Sequence, residues 1–466
     1  MNSTNQTSPA PGVAKSNAPA TSNYRWVICS LLFFATTNNY MDRQVIGYLK
    51  DYIFCAPTDQ GGFGWSNTDF AYLTSFFTGV YAGFTLIAGW VIDKIGTKIG
   101  LALSLIAWSI FGICNAFVGT LVMAHVAIRS LFAAGEAGNF PASIKTVAEW
   151  FPKRERALAT AIFNAGSNGG AMIAAIFVPW CMIHFGDTLG WKMAFILTGV
   201  SGFLWLFFWF WLYNPPNKQR RLSKAEYDYI HIDDETAADQ KAGDKTDKVS
   251  WFRLFGYRQA WSFFVGKFMT DGIWWFYLFW LPDYLFKQFN MTKAQIMMPT
   301  FIVYGIAIVG SIFGGSLPMM LIKRGMSVYK ARMTTMLLIA ICPLAVLLTQ
   351  YFGDVNRFGL HTAAFLAVSM ICIGATAHQA WSANLFTTVS DMFPKKTVAS
   401  VTGIGTTAGG IGGVTVQLLA GHLTDRFKSN PQTAYLIMFI VCALSYLIAW
   451  TIMKALVPRH KPITDL

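Results

Sequence analysis

Long apolar stretches separated by short polar ones run through nearly the whole chain. Twelve of them approach the roughly 20 residues of helix needed to cross a bilayer core about 30 Å thick. They lie near 25–47, 69–92, 100–119, 121–144, 158–185, 191–213, 261–286, 297–322, 332–352, 360–391, 398–421 and 431–455. Backbone polar groups must be satisfied internally in hydrocarbon, so runs of this length predict helices. Residues 214–258 form the one long polar interruption and divide the runs six and six. Pro215 and Pro216 close the sixth run, since proline cannot continue a helix. Ser223 and Glu226 stand at capping-box spacing ahead of 224–230, which predicts a short surface helix. The expected organisation is a disordered tail over 1–22, a six-helix bundle over 23–213, a linker over 214–258, a second bundle over 259–456 and a tail over 457–466. The first 22 residues lack the basic, apolar and cleavage regions of a secretion signal.

The two halves repeat one another. Glu149-Trp150-Phe151-Pro152-Lys153 returns as Asp391-Met392-Phe393-Pro394-Lys395, an offset of 242. The same offset lays Asn164-Ala165-Gly166-Ser167-Asn168-Gly169-Gly170 on Thr406-Thr407-Ala408-Gly409-Gly410-Ile411-Gly412. The fifth and eleventh runs therefore follow the same turn and carry the same small face, which lets helices approach closely in lipid. Parallel halves around a midplane site suit alternating access.

Composition agrees with this reading. The 466 residues are 54% hydrophobic and 13% charged, too few charges for the surface of a soluble protein of this length. The net charge of +13 raises the prospect of a nucleic-acid partner, but its distribution argues against one. If the N-terminus is cytoplasmic, 26 of the 36 Lys and Arg fall on the cytoplasmic side and 7 on the other. That is the positive-inside bias, with both termini in the cytoplasm. The seven cysteines stand singly, with neither a disulfide framework nor metal-ligand spacing.

Charged groups inside apolar runs are costly, by about 2.5–3.5 kcal/mol on insertion scales, and call for a reason. The first run holds Asp42 and Arg43 after Asn38-Asn39-Tyr40, and the fourth holds Arg129 and Glu136. Arg129 and Glu136 are seven apart, two turns, so they project from one face about 10 Å from each other. Adjacent Asp42 and Arg43 point in different directions, so each is expected to pair with another helix. Arginine suits bidentate capture of a carboxylate. A carboxyl in a dry cavity is suited to taking up a proton. The four groups therefore predict a proton-coupled anion site, with Asp42 and Glu136 as the proton-bearing groups. The alternative is that they only knit two helices together.

At the corresponding height of the second half stands Ala377-His378-Gln379-Ala380-Trp381-Ser382-Ala383-Asn384, and the seventh run offers Trp274, Trp275 and Tyr277. One charged half facing one aromatic, hydrogen-bonding half suits a small polyhydroxylated acid. Tyr81, Ser167, Gln379, Asn384 and Thr406 are candidate hydroxyl partners, although Ser and Thr in helices commonly bond their own backbone. Lys267 and Asp271, four apart, form an intrahelical pair. That pair is expected to be structural or gating, with Lys267 near enough to the cytoplasmic end to snorkel.

Between the second and third runs lies Gly89-Trp90-Val91-Ile92-Asp93-Lys94-Ile95-Gly96-Thr97-Lys98. This loop resembles the major facilitator signature Gly-x3-Asp-Lys/Arg-x-Gly-x-Lys/Arg. The resemblance implies an all-α membrane fold of twelve transmembrane helices in two pseudo-symmetric six-helix bundles. It also implies that Gly89, Asp93, Lys94, Gly96 and Lys98 form a cytoplasmic latch. The matching place near Ser316 to Lys323 lacks the acid.

Further residues resemble the anion:cation symporter branch, most closely its bacterial hexuronate members. They are Tyr40-x-Asp42-Arg43, Arg129-x6-Glu136 before Phe140-Pro141, Glu149-Trp150-Phe151-Pro152 with Glu155-Arg156-Ala157, and Ala408-Gly409-Gly410-Ile411-Gly412-Gly413. Lys267-Phe268-Met269-Thr270-Asp271 and Ala377-His378-Gln379-Ala380 resemble hexuronate more than galactonate members. Ser167 and Thr406 depart from the galactonate pattern, where Gln and Asn are expected. The resemblance implies that Arg43 and Arg129 hold the carboxylate or its balancing acids. It implies that Asp42 and Glu136 bind the proton, and that Tyr40, Tyr81 and polar residues of the tenth run reach hydroxyls.

The expected function is therefore proton symport of glucuronate or galacturonate into a bacterial cell across the inner membrane, by a monomer with no cofactor beyond the coupling proton. The alternatives are another sugar acid such as galactonate, another organic anion, or a sugar-acid sensor that does not transport. No nucleophile–base pair, metal cluster or phosphate loop points to an enzyme.

Overall fold

The computed structural model describes residues 22–232, 251–459 and 461–463. The tail expected over 1–22, apart from Ser22, and the linker stretch 233–250 lie outside these residues. The longer helices are α1 (Tyr24–Leu49), α2 (Asn67–Ile95), α3 (Thr97–Cys114), α4 (Val122–Glu136), α5 (Asn139–Trp150) and α6 (Lys153–Leu212). After the short α7 (Lys224–Ile230) come α8 (Arg258–Phe289), α9 (Lys293–Lys323), α10 (Val328–Ile341), α11 (Leu360–Met392), α12 (Lys395–Arg426) and α13 (Pro431–Leu456). The fold is all-α, and every expected run is helical along most of its length.

Three runs differ from expectation, each for a local reason. The fourth is broken at Ala137–Gly138, so α4 ends on Glu136 and α5 starts at Asn139. Pro141 lies four residues beyond Ala137, where its ring clashes with that carbonyl and it has no N–H to give. The fifth and sixth runs are one helical stretch bent at Gly186, whose φ of 71° is open to glycine. The ninth passes from α10 into a 3-10 segment, Cys342–Leu348, that begins beside Pro343.

Seven helical runs among the described residues are long and apolar enough to cross a membrane by composition alone, and one of them, Leu158–Leu212, has 55 residues. Two crossings in that long run bring the tally to eight, consistent with twelve once the first, fourth, seventh and eleventh expected runs are added. The fourth is split at Ala137–Gly138 into helices of 15 and 12 residues, the first and seventh carry Asp42, Arg43, Lys267 and Asp271, and the eleventh is rich in glycine and threonine. They are the helices from which a polar midplane site would be built.

The sequence repeat is also a repeat of packing. Phe151 N–H bonds Val147 O and Phe393 N–H bonds Val389 O, so the two Phe-Pro turns end α5 and α11 alike. A Cβ at Gly170 would lie 2.2 Å from Thr37 O of α1, and one at Gly412 would lie 2.0 Å from Phe268 O of α8. Thus α6 lies against α1 as α12 lies against α8. Gly412→Ala would force that carbonyl to retreat, and overpacking of this kind costs about 1–3 kcal/mol. The purified variant is expected to unfold at a lower temperature in a thermal-shift assay, and an unchanged midpoint would argue against the close approach.

The short helix α7 forms as expected, with Ser223 Oγ accepting from Glu226 N at 3.2 Å. Glu226 itself turns elsewhere. It accepts from Tyr24 N at 3.0 Å and Arg25 N at 3.1 Å, satisfying the open first turn of α1. Arg25 ties the same carboxylate to Glu155 at the start of α6, with both ion pairs at 2.9 Å.

Candidate functional site

Arg43 projects from α1 and meets Glu136 at the broken end of α4. Its Nε and Nη2 both reach Glu136 Oε2, at 3.1 and 3.0 Å, and Nη2 also donates to Asn39 Oδ1 at 3.3 Å. The rings of Tyr40 and Tyr81 each stand 4.4 Å from the guanidinium carbon, with Trp275 of α8 at 5.2 Å. Aromatic faces attract a cation held this way, and they hold the fork of Arg43 in place. Residues expected as hydroxyl contacts, Tyr40 and Tyr81, therefore also form walls of the arginine's box.

Asp42, the neighbour of Arg43, points away from it. Asn38 Nδ2 lies 3.4 Å from Asp42 Oδ2, and Ser201 Oγ of α6 donates to Asn38 Oδ1. Arg129 does not pair with Glu136; its Nη2 donates to Arg43 O at 3.2 Å, and its guanidinium lies against Phe132 and Phe77. All four charged groups are buried. Glu136 Oε1, Asp42 Oδ1, and Arg129 Nε and Nη1 have no hydrogen-bond partner among the described residues. Buried polar groups in native proteins are nearly always satisfied. An acid with a free oxygen beside guanidinium N–H groups without partners is therefore a site suited to a proton and a carboxylate.

The second half contributes less directly than expected. His378 Nδ1 lies 2.8 Å from Tyr446 Oη, and its ring stacks on Trp274 at 5.1 Å. This arrangement packs α11 against α8 and α13. Asn384 gives both amide hydrogens to carbonyls, Gly314 O at 2.7 Å and Ala380 O at 2.9 Å. Ser167 Oγ bonds Asn164 O and Thr406 Oγ1 bonds Thr402 O, within their own helices. Gln379 is half-buried. Of the second-half candidates, Trp275 touches the Arg43 box directly, 6.2 Å from Tyr81.

Lys267 does not snorkel. It is buried, with Nζ 2.6 Å from Asp271 Oδ2 and 4.5 Å from the Phe386 ring centre.

In the loop signature, Gly96 (φ 84°) turns the chain from α2 into α3. Asp93 pairs with Lys145 of α5 at 2.9 Å, Lys94 covers Trp90, and Lys98 donates to Asn214 Oδ1 at 2.8 Å. These partners all belong to the first half of the chain.

Pattern reading missed a second polar network, at the end of the molecule away from Tyr24 and Leu456. Lys50 Nζ reaches Asp283 Oδ1 at 2.5 Å and Asn67 Oδ1 at 2.7 Å, and Lys287 Nζ joins Asp283 at 2.7 Å. Asp425 of α12 accepts from Asn67 N at 2.9 Å and Thr68 N at 2.7 Å, so it caps α2 from the opposite half. Deeper in, Gln417 accepts from Trp280 Nε1 at 2.6 Å and from Thr74 Oγ1 at 3.2 Å. These contacts join the two halves from their distal end inward to the Tyr81–Trp275 contact.

Two helical halves, related by a 242-residue repeat and packed around a buried charged site, describe a known architecture. The sequence profile of the Major Facilitator Superfamily matches residues 32–416. The chain belongs to that superfamily. As a superfamily member it is a membrane transporter and not an enzyme. It is 30% identical over 431 residues to the hexuronate transporter of Escherichia coli strain K12, covering 92% of this chain and 94% of that one. To the D-galactonate transporter of Escherichia coli O6:H1 it is 25% identical, covering 93% and 97%. Among solved structures it resembles a bacterial homologue of the human lysosomal transporter Spinster in an inward-facing, occupied conformation. The TM-score is 0.71 at 17% identity, covering 96% of this chain and 100% of that one, and this similarity bears on the fold alone.

Proposed function

We propose that this transporter is a proton symporter that imports hexuronates, glucuronate or galacturonate, across the bacterial inner membrane. The observation that carries the reading is the Arg43–Glu136 pair. It is one buried acid with an open oxygen, set against a guanidinium held in an aromatic box, with the N–H groups of Arg129 open nearby. Likeness to the hexuronate transporter over 92% of the chain supports the substrate class.

In this reading both termini are cytoplasmic, residues 23–213 and 259–456 are the rocking bundles, and a monomer suffices. The distal network then closes the periplasmic side, and the site faces the cytoplasm. Opening outward parts Lys50 from Asp283 and Asp425 from α2. A proton taken up by Glu136 or Asp42 removes the acid that competes for arginine, and the sugar carboxylate takes its place. The two acids titrate as a coupled set. Tyr40, Tyr81, Ser167, Trp274, Gln379 and Thr406 are the proposed hydroxyl contacts, with His378 and Asn384 behind them. Closure of the latch around Asp93 accompanies the outward state.

Uptake into proteoliposomes under an inward proton gradient tests this directly, with glucuronate, galacturonate and galactonate compared. Gradient-stimulated uptake of a hexuronate is expected, with galactonate weaker. Sugar-acid uptake that is indifferent to the gradient would rule out symport.

A further inference from the structure

The charged groups of the two halves differ in what they present to the site. In the first half Arg43 and Glu136 have side chains 1% and 0% exposed. In the second, Lys267 is 7% exposed but Asp271 is 20% exposed. The accessible member of that pair is the acid. Lys267, Asp271 and Trp275 follow at four-residue spacing on α8 and so share a face. Trp275 is the α8 side chain against Arg43. Asp271 lies one turn from it, about 6 Å along the axis, and within electrostatic reach of Tyr40 of α1. Its Oδ2 points at the glycine face of α12, where a Cβ at Gly409 would stand 2.2 Å from it, and the same oxygen takes the Lys267 ion pair. Oδ2 is thus taken up by Lys267 and α12, and the exposed part of the side chain is what the acid can offer the site.

We propose that Lys267–Asp271 reads the end of the sugar acid opposite its carboxylate, and that Asp271 restricts the transporter to monocarboxylates. This rests on the sugar-acid reading above and deepens it. An ionised Asp accepts hydrogen bonds and donates none, so it welcomes the hydroxyl or hydrated aldehyde at the far end of a hexuronate. A second carboxylate there, as in an aldarate, meets a like charge and offers no proton to share. The length of one helical turn between Trp275 and Asp271 matches a six-carbon acid whose carboxylate lies against Arg43.

Glucuronate and glucarate share a carbon skeleton and differ only at that end, which makes them the probes. With the full-length protein in proteoliposomes, glucarate is expected to inhibit labelled glucuronate uptake at least 100-fold less well than glucuronate does. Asp271→Asn leaves Lys267 as an uncompensated cation and should narrow that ratio at least 10-fold, with glucuronate exchange weakened but still measurable. Equal inhibition by the two acids in the wild-type protein would overturn the proposal without any variant. So would an Asp271→Asn protein that exchanges glucuronate with the ratio unchanged, or one that loses only gradient-driven accumulation, which would make Asp271 a coupling group. Absence of uptake of either acid by the wild-type protein would instead refute the sugar-acid reading on which the proposal rests.

Discussion

Glu136→Gln is expected to abolish gradient-driven accumulation of glucuronate, by at least 100-fold, while exchange of glucuronate across the same vesicles continues. Glutamine keeps an oxygen to accept from Arg43 Nε and Nη2, which now bond Glu136 Oε2 at 3.1 and 3.0 Å. The packing at the broken end of α4 is therefore preserved. What is lost is the ability to exist in two charge states. The variant resembles the proton-loaded carrier permanently, so no negative charge competes with the sugar carboxylate for Arg43 and the gradient has nothing to act on. Parallel exchange and accumulation assays separate the two effects. Full concentrative uptake by the variant would remove Glu136 from coupling and leave Asp42 to carry the role.

Arg43→Lys should lower uptake by about 100-fold or more without loss of folded protein, although the charge is conserved. The guanidinium carbon stands 4.4 Å from the rings of both Tyr40 and Tyr81, and the group offers Nε and Nη2 to one carboxylate oxygen and Nη2 also to Asn39. Lysine is a compact point charge that cannot make that fork or stack. A broken buried charge pair costs about 3–5 kcal/mol when one partner is removed, and the conservative variant should lose a large part of that. Uptake within a few-fold of wild type, with normal detergent-solubilised yield, would show that charge alone suffices.

The general plan was readable in the pattern because lipid is an unforgiving solvent. Asp42, Arg43, Arg129 and Glu136 stood out since hydrocarbon makes each of them costly, and the structure buries all four. Their pairing was not readable. Seven-residue spacing places Arg129 and Glu136 on one face, but it says nothing of how α1 is turned against α4. That rotation gives Glu136 to Arg43 and gives Arg129 to the carbonyl of Arg43. Polar groups in the tenth run were ambiguous for another reason. Asn384 looks the same in sequence whether its amide meets a ligand or, as here, Gly314 O and Ala380 O. Asp283 and Asp425 escaped notice because charges near the ends of apolar runs are ordinary, and only the meeting of two halves distant in sequence makes them a network. The break after Glu136 had a visible cause in Pro141, which pattern reading used only as part of a motif.

Asp425 caps a helix that belongs to the opposite half of the molecule. Losing a cap costs about 0.5–2 kcal/mol, and it would be lost together with the Lys50–Asp283 pair each time the distal side opened. In the proposed orientation the idle carrier is therefore parked toward the cytoplasm, and its outward face is a brief excursion. An empty site turned inward is hidden from the anions outside until thermal motion unfastens the cap. The waiting time between turnovers is then set by a helix end about as much as by the sugar.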